Sequence, residues 1–175
     1  VADILLTPAT LYYAPVGEAL PDDAVAYGTA WGGNWVNMGY TNAPLSVAYS
    51  NEKYQVMVEQ LTAAVKKRIT SEDLAFETTL VELTGVNLAL AFNGTATDTA
   101  AAVGQPGKTE VEAGGDTERQ VYTFGFEGEY VDASGDSFPV RMQIYRGTLV
   151  MGGNLEFSKS KEAGLAIRID AEADT

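Results

Sequence analysis

Hydrophobic positions along this chain recur mostly at every second residue, in short runs separated by turn-forming residues. That period belongs to strands with one face turned to a core. Leu45, Val47 and Tyr49 form one run, with Val56 and Val58 following an expected turn at Ser50-Asn51-Glu52. Leu61 to Ile69 continues extended, with Ala63, Val65, Lys67 and Ile69 on one face, and Ser71-Glu72-Asp73 is expected to turn the chain back. Leu74, Phe76, Thr78 and Leu80 then alternate with Glu77 and Thr79. In the C-terminal third, Tyr122, Phe124, Phe126 and Tyr130 share a face opposite Thr123, Glu127 and Glu129. Beyond a turn at Asp132 to Asp136, Val140, Met142 and Ile144 alternate with Arg141, Gln143 and Tyr145. Leu149 and Met151 follow, and Leu165, Ile167 and Ile169 alternate with Arg168 and Asp170.

The period changes clearly once. Over Glu82 to Phe92, Leu83, Val86 and Leu90 recur at i, i+3 and i+7, which predicts a helix with these three on its buried face. Asn93-Gly94 is its expected stop, because both residues tolerate the left-handed conformation that ends helices. Asn93-Gly94-Thr95 also matches a glycosylation sequon, but with no basic region ahead of the short apolar run at Val1 to Leu6 no secretory signal is expected, and the helix end is the favoured interpretation.

Two stretches lack either period. Residues 1–42, rich in Pro, Gly and aromatics, predict an irregular N-terminal arm, and residues 94–119 predict a long surface loop that an ordering partner would use. The whole predicts one mainly β domain over residues 1–175. Its expected architecture is an antiparallel β-sandwich or barrel with a short α-helix packed on one side and long arms and loops.

Composition narrows the chemistry. Cysteine and histidine are both absent, so no Ser-His-Asp or Cys-His nucleophile pair and no Cys/His zinc site can be built. No enzyme, cofactor or metal site is expected, and no apolar run approaches the ~20 residues of a membrane helix. Eleven basic residues against 24 acidic ones give a net charge of −13, which disfavours binding to phosphate backbones.

The remaining motifs have ordinary explanations beside the functional ones. Asp132-x-Ser134-x-Asp136 resembles the start of a calcium loop, but its glycine stands at position 4 and no Glu follows at position 12, so a hairpin turn fits better. Glu127 and Glu129 share a strand face at a spacing that glycoside hydrolysis can use, and such pairs are also common on solvated strands. Tyr12, Tyr13, Trp31, Trp35 and Tyr40 suit a stacking platform for sugars, a packed arm or a subunit contact. Lys66-Lys67-Arg68 is the one basic cluster; contact with an acidic neighbouring copy and an ordinary exposed strand both fit it better than a nucleic-acid site.

Residues 31–94 resemble the tail tube (major tail) proteins of tailed bacteriophages. The resemblance runs through the Trp31-Gly32 turn ending in Met38-Gly39-Tyr40, paired strands running into Val58-Glu59-Gln60, a Glu77 to Glu82 strand, and a short helix containing Asn87-Leu88. A weaker echo lies in Gly152-Gly153-Asn154-Leu155 and in a closing hairpin over Lys159 to Ala171. The resemblance implies a subunit of hexameric rings that stack into a virion tube, assembled in the host cytoplasm around a tape-measure protein. Tail terminator and distal tail proteins would be further partners, and genomic DNA would pass through without specific binding. Candidate lumen-facing acids are Glu59, Glu77, Glu127 and Glu129. Candidate inter-subunit contacts are Tyr12, Tyr13, Trp31, Trp35, Asn51, Lys66, Lys67, Arg68 and Glu72. A carbohydrate- or receptor-binding β-sandwich module is the alternative that the aromatic residues motivate.

Overall fold

A computed structural model describes residues 8–57, 59, 62–114, 118–132, 134–157 and 162–173. Val1 to Leu6, Val58, Gln60, Leu61 and Lys159, all named in the sequence-based expectations, lie outside the described residues. Mainly β and antiparallel as expected, the chain builds one seven-stranded sheet in the order β2-β1-β7-β8-β9-β4-β3. These strands are β1 (Thr10–Pro15), β2 (Val36–Asn37), β3 (Ser46–Val56), β4 (Lys66–Leu80), β7 (Val121–Val131), β8 (Ser137–Met151) and β9 (Leu165–Ala171). A separate two-stranded hairpin joins β5 (Thr95–Thr99) and β6 (Lys108–Glu112), and the helix α1 spans Gly85–Phe92.

The sheet curls until β1 and β4 share one segment. Met38 N donates to Leu11 O beside β1, while Val81 N donates to Tyr40 O and Asn42 N to Thr79 O beside β4. The two halves therefore face each other across a core of Leu11, Phe76, Leu80, Phe124, Leu149, Leu165, Ile167 and Ile169. Phe76 and Phe126 stack within it, with ring centroids 5.0 Å apart. The alternations read for Phe76 to Leu80, Phe124 to Phe126 and Leu165 to Ile169 match this core.

Helix α1 packs against β5, β6 and β8. Thr84 caps it by accepting from Asn87 N, and it ends as expected at Asn93, whose φ of 56° leaves Gly94 N to donate to Ala89 O. Its buried face differs from the expected one: Asn87, Ala89 and Ala91 are buried, Leu83 and Leu90 are partly so, and Val86 is exposed. Asn87 explains the rotation. Its side-chain amide donates to Met38 O (2.9 Å) and Glu82 O (3.0 Å), tying the helix to the segment that closes the sheet.

Three other expectations are corrected. The turns at Ser50-Asn51-Glu52 and Ser71-Glu72-Asp73 do not exist: β3 and β4 run straight through both sites as one long hairpin, with Asn51 opposite Glu72 and a register shift between Glu52 and Lys53. Cross-strand hydrogen bonding satisfies the backbone of these polar residues as well as a turn would, so turn propensity yields to pairing. The supposed loop at 94–119 holds the β5–β6 hairpin. The N-terminal arm contributes β1 and β2 and folds over the outer face of β7.

That arm is held by a buried ion pair. Glu127 is wholly buried, and its Oε1 accepts from Arg141 Nε (3.0 Å) and Trp31 Nε1 (3.2 Å), while Oε2 accepts from Gly28 N (3.2 Å). Arg141 in turn donates to Val25 O (2.6 Å) and Asp22 O (3.2 Å), so both charges bind the arm's backbone. Trp31 stacks on Tyr12 at 4.1 Å and meets Trp35 edge-on at 5.0 Å, and the Trp35 indole donates to Ala19 O. Close approach of the Trp31 ring to β7 requires a residue without Cβ beneath it, and Gly125 occupies that place.

Two substitutions test this clamp. Glu127→Gln leaves the Arg141 charge buried without its counter-ion and is expected to destabilise the subunit by about 3–5 kcal/mol in urea unfolding. Gly125→Ala places a methyl group against Trp31; a loss of about 1–3 kcal/mol with a red-shifted tryptophan emission is expected.

Candidate self-assembly surface

Strand β9 sets where the sheet stops being covered. It pairs with Ala75–Leu80 of β4 and Gly147–Met151 of β8, while both partners continue beyond its end. Past that point the sheet forks into two hairpins, β3–β4 and β7–β8, with no described strand between them. On the β3 side, every residue of β3 is exposed except the half-buried Asn51, and Lys66 to Asp73 of β4 are exposed throughout. The outer edge of β3 has no neighbouring strand among the described residues.

This hairpin carries apolar side chains that its own chain leaves open: Val47, Tyr49, Tyr54, Val56, Val65 and Ile69 are all exposed. Its cross-strand pairs place Tyr54 and Val56 with Arg68 and Lys66 on one face, and Lys53 and Gln55 with Ile69 and Lys67 on the other. Tyr49 donates to Glu72 Oε1 (2.8 Å), and that hydrogen bond pushes the phenol pKa above its ordinary value. At the foot of the fork lies an apolar groove of about 560 Å³, lined by Ala9, Pro44, Leu45, Phe126, Val140 and Met142. Val140 and Met142 are half exposed there, on the same strand whose Ile144 enters the core. Such an open apolar surface on two strands is what a partner strand or subunit covers.

The predicted residues fall into separate places. Asn51, Lys66, Lys67, Arg68 and Glu72 gather on the β3–β4 hairpin, and Glu59 is exposed between its strands. Glu77 is exposed on the outer face of the sheet and pairs with Arg168 at 3.2 Å; Asp170 holds the same guanidinium at 2.6 Å and, as the largest influence, raises its pKa. Glu129 is half-buried and accepts from Ser137 Oγ at 2.6 Å.

Glu127 is a correction: the expected solvated face it shares with Glu129 lies under the arm, and its carboxylate faces Arg141 instead of solvent. Tyr12, Trp31 and Trp35 are corrected likewise. They are buried within the chain and form a satellite core, which leaves them unavailable as anchors on a neighbour or as a sugar platform. Tyr13 is half-buried and packs edge-on against Tyr122, and burial raises the pKa of its phenol. Asp132 Oδ1 accepts from Ser134 N and Asp136 N, which makes the Asp132 to Asp136 segment the expected hairpin turn.

Sequence patterning missed the open apolar residues as open. Alternation marks a face that seeks cover, and it reads alike whether the cover is the chain's own core or another molecule. Arg141 was also missed as a functional residue; its only signal was a charged residue in register opposite Glu127, within strands otherwise contributing to the core.

Among the described residues no helix is long and apolar enough to cross a membrane. A search of curated proteins finds no match. A family model described as "Phage tail tube protein" matches residues 3–175, essentially end to end. This match extends over the arm, the fork and the closing strand alike, and the chain belongs to the phage tail tube protein family.

Proposed function

We propose that this chain is the repeating subunit of a phage tail tube, assembling as hexameric rings that stack into a conduit for genomic DNA. The observation that carries this is the β3–β4 hairpin, which beyond β9 is exposed on both faces, has no pairing strand on either outer edge among the described residues, and bears a row of open apolar side chains. An isolated edge of this length is an aggregation hazard unless an intended partner strand pairs with it. A copy of the same chain is the partner that family membership supports. The hairpin of one subunit then continues the sheet of the next, and the contact joins two different surfaces. Heterologous contacts of that kind close into rings or extend into filaments, as a stacked tube requires.

Glu59, Glu77 and Glu129 are the acids left for an anionic lumen, since Glu127 is internal. Passing DNA meets little attraction on such a wall, because basic neutralisation of phosphates dominates its affinity for proteins. A tape-measure protein inside, terminator and distal tail proteins at the ends, and assembly in the host cytoplasm complete the proposal. The sugar-binding alternative loses its motivation with the burial of Tyr12, Trp31 and Trp35.

Negative-stain electron microscopy with light scattering, over a series of concentration and salt and with the tape-measure protein as template, is expected to show hollow tubes or six-fold rings. Monomers under every condition, template included, overturn the proposal. Tyr54→Ser combined with Met57→Ser is expected to leave the subunit's thermal midpoint unchanged, because both side chains are exposed, and to suppress assembly.

A further inference from the structure

The β3–β4 hairpin is electrically two-ended. Between Lys53 and Ile69 lie four basic side chains, Lys53, Lys66, Lys67 and Arg68, and one acidic one, Glu59. The remainder of the chain holds seven basic residues and twenty-three acidic ones, so this tip opposes the charge of everything else. All four basic side chains are exposed, and none forms a salt bridge among the described residues. Directly beyond the register shift at Glu52/Lys53 the sign reverses, with Glu52 opposite Ser71, Glu72 opposite Asn51 and Asp73 opposite Ser50. A basic tip thus stands above an acidic collar on the same exposed two-stranded ribbon.

We propose that the basic tip of one subunit docks against the acidic collar of the hairpin on a second copy. This rests on the self-assembly proposed above and names the contact that would direct it. Two hairpins laid side by side without offset put tip against tip and collar against collar, and like charges repel. Sliding one hairpin by about five residues, roughly 17 Å along a strand, places Lys66, Lys67 and Arg68 beside Glu52, Glu72 and Asp73. Opposite charges then fix the register between copies. Register needs such a device here, because a ribbon exposed on both faces has no buried face to specify it. The long Lys and Arg stems also cover the open apolar residues Tyr54, Val56 and Ile69 as they reach the neighbour.

A charge swap tests the docking. The tip reversal Lys66→Glu/Lys67→Glu/Arg68→Glu and the collar reversal Glu52→Lys/Glu72→Lys/Asp73→Lys are each expected to raise the concentration needed for assembly by about tenfold or more. An equimolar mixture of the two is expected to restore assembly, because each tip then meets a collar of opposite sign. Restoration also shows that both variants are folded. Single reversals that assemble like the wild-type chain overturn the docking, as do single reversals that fail and stay unrescued in the mixture. A tip reversal that assembles normally but no longer retains duplex DNA assigns the tip to nucleic acid and overturns it too. Failure of the wild-type chain to assemble even on its template instead overturns the tube subunit itself.

Discussion

The shortness of β9 is the constraint on which the surface of this molecule depends. Its seven residues hold β4 and β8 together only near the helix, where side chains from both halves of the curled sheet meet in the core. Both neighbours are 15-residue strands, so each outruns the strand between them. At the open end, among the described residues, β4 before Ala75 has no strand beside it except β3, and the outer edge of β3 has none. A longer β9 would have sealed the sheet and left no fork.

The closed end has to be stiff if the fork is to present a defined edge. Stiffness comes from layers packed on both faces of β7: the main core beneath it and the arm above it. Beneath the arm, Glu127 of β7 and Arg141 of β8 bond its backbone, beside the aromatic packing of Tyr12, Trp31 and Trp35. Glu127 and Arg141 leave no buried side-chain polar atom without a partner among the described residues, because indole, amide and carbonyl groups of the arm complete their hydrogen bonding. A buried pair of this kind is worth less for net stability than for holding one arrangement of the chain over others. Here the arrangement held is the arm lying on the sheet with Trp31 seated over Gly125.

Charge is distributed to complement that geometry. The chain is strongly acidic as a whole, and its basic cluster, Lys66-Lys67-Arg68, sits at the far end of the β3–β4 hairpin. In a protein with so large a net negative charge, the exceptional charges stand on the projecting element. The apolar groove beside Leu45 and Met142 lies at the foot of the same fork.

Much of this was legible in the chain itself. Alternating residues from Leu74 to Leu80 and from Leu165 to Ile169 identified core strands, the Asn93-Gly94 stop located the helix end, and residues 31–94 carried the family resemblance. These are local signals, set by backbone period and by the conformations that individual residues tolerate. Which side chains remain in contact with water was decided only in three dimensions. Glu127 and Glu129 read alike in sequence, yet one is sealed beneath the arm and the other lies beyond it. The turns suggested at Asn51 and Glu72 dissolved because each segment supplied the other's hydrogen bonds across a hairpin. Tyr12, Trp31 and Trp35 became core because an arm with no period of its own found a glycine-bearing strand to cover. Local pattern states what each segment can bury, whereas long-range pairing selects what it does bury, and here that choice separates the rigid body from the exposed edge.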